Sequence, residues 1–310
     1  PLPAALRISE WAPDNPFSSY GTRRSPEQLA TITSDNRFIC FPYPKLMNAR
    51  DAVNQGAAVV MTSVGKAKEL GIDPAKWVFL HGCSEANEKL LVSDRVDYHS
   101  SPAIRANTQQ AFEMAGKTVE DIDLIDIYSC FPSAVEVACK ELGLSHADPR
   151  GLTVTGGLPF FGGPGNNYSM HALATLLPLL RAQPGQFALL TANGGRLSKH
   201  ATGIYSATPV RGAWQRESNT KIQAQIDAMP SPEFIAAANG AAKIETYTVC
   251  FDRTAPVRGI VIGRLLGSDQ RFIANTDEDA QTLAQMLHDD FLSRSGNVIS
   301  SDGLNTFTAA

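Results

Sequence analysis

A glycine-rich loop that runs into an apolar helix most constrains how this chain folds. Residues 153–180 read TVTGGLPFFGGPGNNYSMHALATLLPLL. Glycine tolerates positive φ and close backbone approach, and the free N–H groups at a helix N-terminus favour negative charge. We therefore predict an oxyanion or phosphate site in loop 162–167, to which Gly162, Gly163 and Asn166 contribute. An ordinary strand-to-helix turn is the alternative, and the lack of a GxxxxGKS/T motif argues against a nucleotide P-loop.

The helix after this loop carries apolar side chains all round instead of along one stripe. Its apolar residues are Met170, Ala172, Leu173, Ala174, Leu176, Leu177, Leu179 and Leu180. A helix of this kind is typically buried on every side. We therefore expect it to lie between layers of structure, with the loop opening from inside the molecule.

Composition excludes several classes of protein. The chain has 310 residues, 43% of them hydrophobic and 19% charged, which indicates a globular protein of two or three domains. A net charge of -4 without a basic tract argues against nucleic acid or an acidic membrane as partner. No signal peptide or long apolar run is present, and five cysteines form no CxxC pair. We expect a cytoplasmic protein, in a reducing compartment, that binds no metal and does not enter membranes.

Strand and helix patterns alternate through the first two thirds of the chain. An apolar run at 57–63 is typical of a strand that is covered on both faces. Further strands are predicted at 77–81, 122–128, 152–155, 187–192 and 203–207, and helices at 65–70, at 102–115, after Pro132 and after the glycine loop. This order predicts an α/β fold with a parallel-dominated sheet and helices on both faces.

The carboxyl ends of three predicted strands are expected to converge. They are Tyr128-Ser129-Cys130, the glycine loop, and the stretch around Asn193. Ligands usually bind at that edge of a parallel sheet, so this convergence is our active-site hypothesis. Each end also has a structural interpretation, because a cysteine such as Cys130 is more often a small core residue than a nucleophile, and Asn193-Gly194 is also a common turn pair.

The last third of the chain differs in composition. Residues 214–243 are polar and rich in alanine, which predicts a linker with one or two short helices. Residues 244–310 contain five short strand patterns and one amphipathic helix pattern at 278–292. We predict a small α+β domain, mainly an antiparallel barrel or sheet, without catalytic residues.

The order and spacing of the three strand ends resemble the C-terminal half of thiolases, acyl-CoA-dependent enzymes that make or cleave a 3-ketoacyl carbon-carbon bond. QGAAVVMTS and DRVDYHSSPAI add to the likeness, which covers roughly residues 35–208. The resemblance implies the layered α-β-α-β-α thiolase fold, mainly its C-terminal half. On this basis residues 1–63 are the remainder of an N-terminal half, 64–213 the C-terminal thiolase-like domain, 214–243 a linker and 244–310 an additional domain.

The chain departs from the family's catalytic motifs. GGLPFFGGP has Gly163 where the GHP histidine stands, and LLTANGG has Ala192 where the CxG cysteine stands. The NEAF or HDCF element is replaced by YSCF, which places Tyr128 and Ser129 before Cys130. Glycine and alanine transfer no protons, so ordinary thiolysis is not expected.

With these changes the chain resembles thiolase-like proteins often labelled acetyl-CoA acetyltransferase, which carry an extra C-terminal domain. The resemblance implies an acyl-CoA-binding acyltransferase-type protein of lipid metabolism whose chemistry is altered or lost, with CoA or acyl-CoA as substrate or ligand and no tightly bound cofactor. It implies Tyr128, Ser129, Cys130 and His200 as catalytic candidates. Backbone donors of the glycine loop, with Asn193, would hold the thioester.

Two other functions and several partners stay open at this point. One alternative is a retro-aldol carbon-carbon lyase acting on acyl-CoA, with Tyr128 or His200 as the proton-transfer group. The other is a non-catalytic assembly partner that docks through its additional domain. His200 is assigned to the loop RLSKHATG, where a surface histidine without chemistry is the alternative. We expect a homodimer, or association with the missing N-terminal half of a longer polypeptide.

Overall fold

The chain divides into two compact units. The computed structural model describes residues 12–310, so the first eleven residues of the predicted domain 1–63 lie outside the described part. Unit 1 contains the described residues up to Leu29 together with Met47–Glu88 and His99–Ala228, and unit 2 contains Ala30–Leu46, Lys89–Tyr98 and Met229–Ala310. This division does not follow the predicted boundaries at 63, 213 and 243, because two segments from the first hundred residues pack within unit 2.

Helices and strands alternate in unit 1, whereas strands predominate in unit 2. The described α-helices are α1 (Pro26–Ala30), α2 (Val64–Glu69), α3 (Pro102–Ala115), α4 (Pro132–Leu142), α5 (Gly157–Phe160), α6 (Tyr168–Ala182), α7 (Thr220–Asp227) and α8 (Ala280–His288). The described strands are β1 (Phe38–Cys40), β2 (Tyr43–Pro44), β3 (Phe79–Asn87), β4 (Leu124–Asp126), β5 (Phe187–Gly194), β6 (Lys199–Ser206), β7 (Gly240–Phe251), β8 (Pro256–Leu265), β9 (Arg271–Thr276), β10 (Ser295–Ser301) and β11 (Leu304–Ala309). Within residues 12–310, no helix is both long and apolar enough to cross a membrane.

The sheet of unit 1 is mostly antiparallel. Its four strands follow the order β3-β6-β5-β4. Only β4 and β5 run parallel, while β6 is antiparallel to both β3 and β5. The predicted parallel majority is therefore wrong for the described strands, because β5 and β6 form a hairpin through a tight turn at 195–198.

Helix α3 forms where the sequence predicts it and packs against this sheet. The hydroxyl of Ser101 accepts the Ile104 N–H, Pro102 occupies the first turn, and Gly116 ends the helix with φ 61°. Gly82 on β3 allows the close approach, since a Cβ there would lie 2.0 Å from the carbonyl oxygen of Ala111. Any side chain at position 82 would therefore push α3 away from the sheet.

Helix α6 buries one face and not its whole circumference. Its buried residues recur at helical spacing and pack with Leu158, Ala188 and Leu190. On the other side Leu179 is 41% exposed. The expectation of burial on every side is wrong because Pro178, Leu179 and the C-terminal turn of the helix are exposed.

Residues 57–63 do not form the predicted buried strand. The segment is extended, but no described strand pairs with it. The side chains of Val60 and Met61 are 90% and 78% exposed. Alternate residues from Val53 to Val59 are half-buried, so one face of the segment packs on unit 1 and the other faces outward.

Unit 2 is built around a closed β-barrel, which confirms the predicted barrel-like domain with one helix. The strand order is β10-β11-β9-β8-β7, and a further pairing of β10 with β7 closes the ring. Apolar side chains fill the interior, among them Val249, Val261, Phe272, Phe291 and Phe307. Helix α8 adds Leu283 and Met286 to this core.

A fully buried arginine fastens residues 89–98 within unit 2. The guanidinium of Arg271 donates to the carbonyl oxygens of Ser93 at 2.7 Å and Val96 at 3.2 Å. Its Nε donates to a carboxylate oxygen of Glu245 at 2.6 Å. Burial alone would raise the pKa of Glu245, but hydrogen bonds from Arg271 and a second arginine hold it below its usual range. The segment therefore depends on one buried charge-assisted network.

We expect Arg271→Met to destabilise unit 2 by about 3 to 5 kcal/mol, because it leaves a partly buried carboxylate and several carbonyls without their donor. Arg264→Met is the matched control, since Arg264 also donates to Glu245 at 2.6 Å but is 26% exposed. Its loss is expected to cost about 1 kcal/mol or less. Amide hydrogen exchange in β7 and β9 measures both effects. Equal protection loss in the two variants would contradict the assignment.

Candidate functional site

A fully buried carboxylate shapes the segment 152–155, which the sequence predicts as a strand. Asp126 is the last residue of β4, and its Oδ2 accepts the Thr153 hydroxyl at 2.8 Å and the Val154 N–H at 2.9 Å. Burial raises the pKa of Asp126 to about 6, although these hydrogen bonds act to lower it. The strand prediction at 152–155 is wrong because these residues bend around the carboxylate instead of pairing with a neighbouring strand.

Tyr168 extends this buried network to the start of α6. Its hydroxyl lies 2.7 Å from Oγ1 of Thr155 and 3.3 Å from Oδ1 of Asp126. The rings of Tyr168 and Tyr128 meet edge to face with centroids 5.3 Å apart. The network therefore positions Tyr128, which follows β4 by two residues.

Ser129 belongs to the same buried region. It is 1% exposed, and its Oγ accepts the N–H of Leu158 at 3.3 Å. The hydroxyl of Ser129 also lowers the pKa of Tyr168 by hydrogen bonding, although burial dominates and raises that pKa well above its usual value. Ser129 thus takes a structural position, and its predicted catalytic role gains no support from this geometry.

A small cavity lies where β5, β6 and the end of β4 meet. Its volume is about 10 Å³, which is room for about one water molecule. Tyr128, Ala192, Asn193 and His200 line it. The remaining lining residues are Ile104, Asn107, Ile127, Ala134, Ala138, Thr191, Leu197, Ala201 and Thr202. No lining side chain is an acid, a lysine or an arginine, so Tyr128 and His200 are the groups best suited to transfer a proton.

His200 lies in a strand and not in the predicted loop. It is the second residue of β6 and stands opposite Asn193 on β5 and Ala86 on β3. The residue is 6% exposed. Strand β6 begins at Lys199, before the predicted strand at 203–207, because its first residues already pair with β3 and β5. The structure thus brings His200 together with Tyr128 and Asn193.

Cys130 contacts the site through Asn193. The Nδ2 of Asn193 lies 3.6 Å from Sγ of Cys130, and no hydrogen-bond partner of its buried Oδ1 is found among the described residues. Burial raises the pKa of Cys130 to about 11, with smaller lowering contributions from backbone N–H groups and Asn193. Burial, and secondly Cys130, raise the pKa of Tyr128. At neutral pH Cys130 is therefore a thiol and Tyr128 a proton donor.

The glycine loop does not offer the donors that the sequence suggests. The N–H of Gly163 donates to the carbonyl oxygen of Arg50 at 2.8 Å, and the N–H of Gly165 donates to the carbonyl of Gly163 at 2.7 Å. Asn166 is exposed, and neither it nor the two predicted glycines line the cavity. These hydrogen bonds close the loop on itself and on the preceding segment.

Gly162 and Gly163 have different reasons to be glycine. Gly162 has φ 126°, and a Cβ there would lie 2.4 Å from Oε1 of Gln55. At Gly163 a Cβ would meet its nearest neighbours at 3.5 Å or more, which is ordinary contact. The positive φ therefore favours glycine at position 162, whereas position 163 has space for a Cβ atom.

Sequence reasoning missed the polar residues beneath the site. Asn107 and Thr202 line the cavity and are hydrogen bonded to each other at 2.6 Å. Asp126 supports the site from β4. Asp126 was detectable as a charged residue inside the apolar stretch IDLIDIY. Asn107 was not detectable, because it lies within an ordinary helix pattern in α3.

Comparison with known proteins places this geometry in context. Residues 221–303 match the model of the thiolase-like protein type 1 additional C-terminal domain. The crystal structure of a monomeric SCP2-thiolase like protein type 1 from Mycobacterium smegmatis superposes with a TM-score of 0.92 at 42% identity, covering 100% of this chain and 68% of that one.

Curated relatives match a shorter stretch. A 3-ketoacyl-CoA thiolase of Aeromonas salmonicida (strain A449) is 26% identical over 181 residues, which is 56% of this chain and 44% of the relative. An acetyl-CoA acetyltransferase of Syntrophomonas wolfei is 28% identical over 144 residues, or 46% and 34% of the two chains. The chain thus spans less than half the length of these relatives.

The raised pKa of Asp126 predicts a pH dependence of stability. An acid with a folded-state pKa of about 6 and a usual value of 3.8 stabilises the fold when protonated. That contribution is fully present below about pH 4 and is lost as pH rises to about 6, amounting to roughly 3 kcal/mol. We expect Asp126→Asn to escape this loss, so its stability relative to the unmodified protein should increase by that amount between pH 4 and pH 7.

Urea unfolding at a series of pH values measures this difference. Thr155→Val is the control, because it removes a hydroxyl from the same buried network without removing a titrating group. It should destabilise the protein by a similar amount at every pH. Parallel stability curves for Asp126→Asn and the unmodified protein would show that Asp126 does not titrate in this range.

Proposed function

The chain belongs to the SCP2-thiolase-like proteins of type 1, within the thiolase superfamily, and we propose that it binds acyl-CoA thioesters but does not perform ordinary thiolysis. The observation that carries this proposal is the position of Ala192. It lines the cavity beside Tyr128 and Asn193, at the point where the resemblance places the CxG cysteine. A methyl group there keeps the shape of the site and removes its acid/base group.

The second family position supports the same proposal. Gly163, in place of the GHP histidine, carries no side chain that could transfer a proton, although a Cβ atom would fit there. General acid/base groups contribute about 10²- to 10⁴-fold to rate, so losing two of them suppresses thiolysis far more than binding. Binding by shape and neutral hydrogen bonds does not require either group.

The size of the cavity defines what enters it. A cavity of about 10 Å³ accommodates an oxygen atom and not an acyl chain. We therefore place the thioester carbonyl oxygen in the cavity, with the amide of Asn193 and the hydroxyl of Tyr128 as donors, while the acyl chain and CoA lie outside. This assignment replaces the glycine loop as oxyanion donor, since the N–H of Gly163 already donates to Arg50. The thioester acts as a dissociable ligand, in the cytoplasmic lipid metabolism implied by the family.

We expect acetyl-CoA and acetoacetyl-CoA to raise the melting temperature, with no acetyl-CoA formed from acetoacetyl-CoA and free CoA. A ligand at one hundred times its Kd stabilises the folded state by about 2.7 kcal/mol. Asn193→Ala should weaken binding, whereas Asn166→Ala, at an exposed loop position, should not. Weakening by Asn166→Ala alone would assign the donor to the side chain of Asn166 and contradict the assignment to Asn193. Thiolysis at ordinary enzyme rates would overturn the proposal.

A second function, retro-aldol cleavage, is favoured by one observation. Tyr128 and His200 line the same cavity, and Phe161 and Tyr168 pack in the core without filling it. In such a reaction His200 removes the proton of a 3-hydroxyl group, the C2–C3 bond breaks, and the thioester enolate is protonated at C2. A carbonyl product and a shortened acyl-CoA result. The high pKa of Tyr128 suits it to donate a hydrogen bond to the enolate oxygen.

An activity assay on the same purified protein decides between these two functions. A 3-hydroxyacyl-CoA incubated with the protein should release an aldehyde or ketone if the lyase function is present. His200→Ala should then lower that rate by about 10² to 10⁴ and leave acetyl-CoA binding in place. Tyr128→Phe should lower the rate and also weaken binding, because it removes a donor to the thioester oxygen. Binding without any carbonyl product would leave acyl-CoA binding as the function.

We also propose that a further β-strand pairs with residues 52–61. No described strand pairs with this segment, and the side chains of Val60 and Met61 are exposed. An exposed apolar edge of this kind is a template for another strand. A longer polypeptide that contains the N-terminal thiolase half would supply it; a homodimer is the alternative, although the Mycobacterium smegmatis relative is described as monomeric.

Amide hydrogen exchange tests this pairing in the polypeptide produced from its complete gene. Residues 52–61 should exchange slowly there, because a paired backbone is protected. The exposed helix α2, which follows the segment, provides an internal reference for fast exchange. Fast exchange throughout 52–61 would contradict a covering strand. Protection that disappears on dilution to monomer would assign it to a homodimer.

A further inference from the structure

Two cysteines of unit 2 lie directly opposite each other on neighbouring strands. Cys40 is the last residue of β1 and Cys250 lies near the end of β7, and the two are register partners in an antiparallel pairing. Both are half-buried, and both thiols are free. The five cysteines showed no pairing pattern in the sequence, because these two are separated by most of the chain.

The hydrogen bond beside this pair defines its geometry. The N–H of Phe41 donates to the carbonyl oxygen of Val249 at 2.9 Å, so the ladder bonds flank Cys40 and Cys250 and do not join them. Opposed residues in such non-hydrogen-bonded positions generally have Cα atoms about 4.5 Å apart. Disulfides form at Cα separations of about 4.4 to 6.8 Å. The backbone therefore already holds the two cysteines at bridging distance.

The side chains share one face of the sheet. Sγ of Cys40 lies 3.2 Å from Oγ1 of Thr248, and Thr248 precedes Cys250 by two residues on the same strand. The Thr248 hydroxyl itself donates to the carbonyl of Phe41 at 2.7 Å. It is thus free to accept the thiol proton of Cys40. Because Thr248 and Cys250 are two residues apart on β7, the side chain of Cys250 lies on the same face of the sheet as Sγ of Cys40.

We propose that Cys40 and Cys250 form an oxidant-responsive disulfide that fastens residues 30–46 to the barrel. With a peroxide as oxidant, one thiolate attacks the peroxide oxygen, giving a sulfenic acid and one water. The second thiol then attacks the sulfenic sulfur, forming the S–S bond and releasing a second water. Two thiols are oxidised and one peroxide is reduced. Burial raises the pKa of Cys250. Because the thiolate is the reacting form, Cys250 gives up its proton as it attacks, and that proton leaves with the sulfenic oxygen as water.

This modification is independent of acyl-CoA binding, because both cysteines belong to unit 2 and the cavity lies in unit 1. Before oxidation, β1 contacts β7 through a single register pair. A covalent link would make that contact permanent. It would also close a loop of most of the chain, which restricts the unfolded state.

The test treats the full chain with hydrogen peroxide under native conditions. Intact mass should fall by two hydrogens, and the number of thiols alkylated after unfolding should fall from five to three. Peptide mapping without reductant should join the peptides that contain residues 40 and 250. The melting temperature should rise by roughly 4 to 16 °C and return to its starting value with dithiothreitol.

Single substitutions separate this disulfide from other oxidation. Cys40→Ser and Cys250→Ser should each abolish the loss of two hydrogens, and Cys83→Ser, at another half-buried cysteine, should not. Should Cys40→Ser fail to fold, Cys250→Ala serves as the second variant. Oxygen addition without a joined peptide, or a link to Cys83, Cys130 or Cys139, would overturn the proposal.

Discussion

The hydrogen bonds that Asp126 accepts determine the local structure around the candidate site. The carboxylate accepts the hydroxyl of Thr153 and the N–H of Val154, and those two bonds bend the chain out of a strand. The bend directs the glycine loop toward α6, where Tyr168 returns to the same carboxylate. The cavity wall at Tyr128 is therefore built on a buried acid that takes no part in lining the cavity.

Much of the fold was predictable because local chemistry and tertiary structure agree. A serine cap, a proline and a terminal glycine define α3, and alternating patterns define the strands of the barrel. The failures at 57–63 and 152–155 share a cause. Apolar or β-branched runs indicate an extended chain, but whether that chain finds a partner strand depends on residues far away in the sequence.

The site was predictable in part for the same reason. Tyr128 and Asn193 were found because they end predicted strands, and both line the cavity. His200 was found as a residue but assigned to the wrong element, because the pattern did not show how far β6 extends. The glycine loop suggests an oxyanion site in the sequence, but the N–H groups of Gly163 and Gly165 already donate to backbone carbonyl oxygens. Motif spacing does not reveal where a backbone N–H is already used.

The pairing of β1 with β7 bears on the order in which the protein is made. Cys40 is synthesised 210 residues before Cys250. Strand β1 is therefore made long before β7, the strand with which it pairs. At about 5 to 20 residues per second this delay is roughly 10 to 40 s. Unit 2 completes its sheet only after strands β7 to β11 have been synthesised, and β1 cannot pair with β7 until β7 has been made. This topology therefore requires that the nascent chain be protected from association with other chains during that interval.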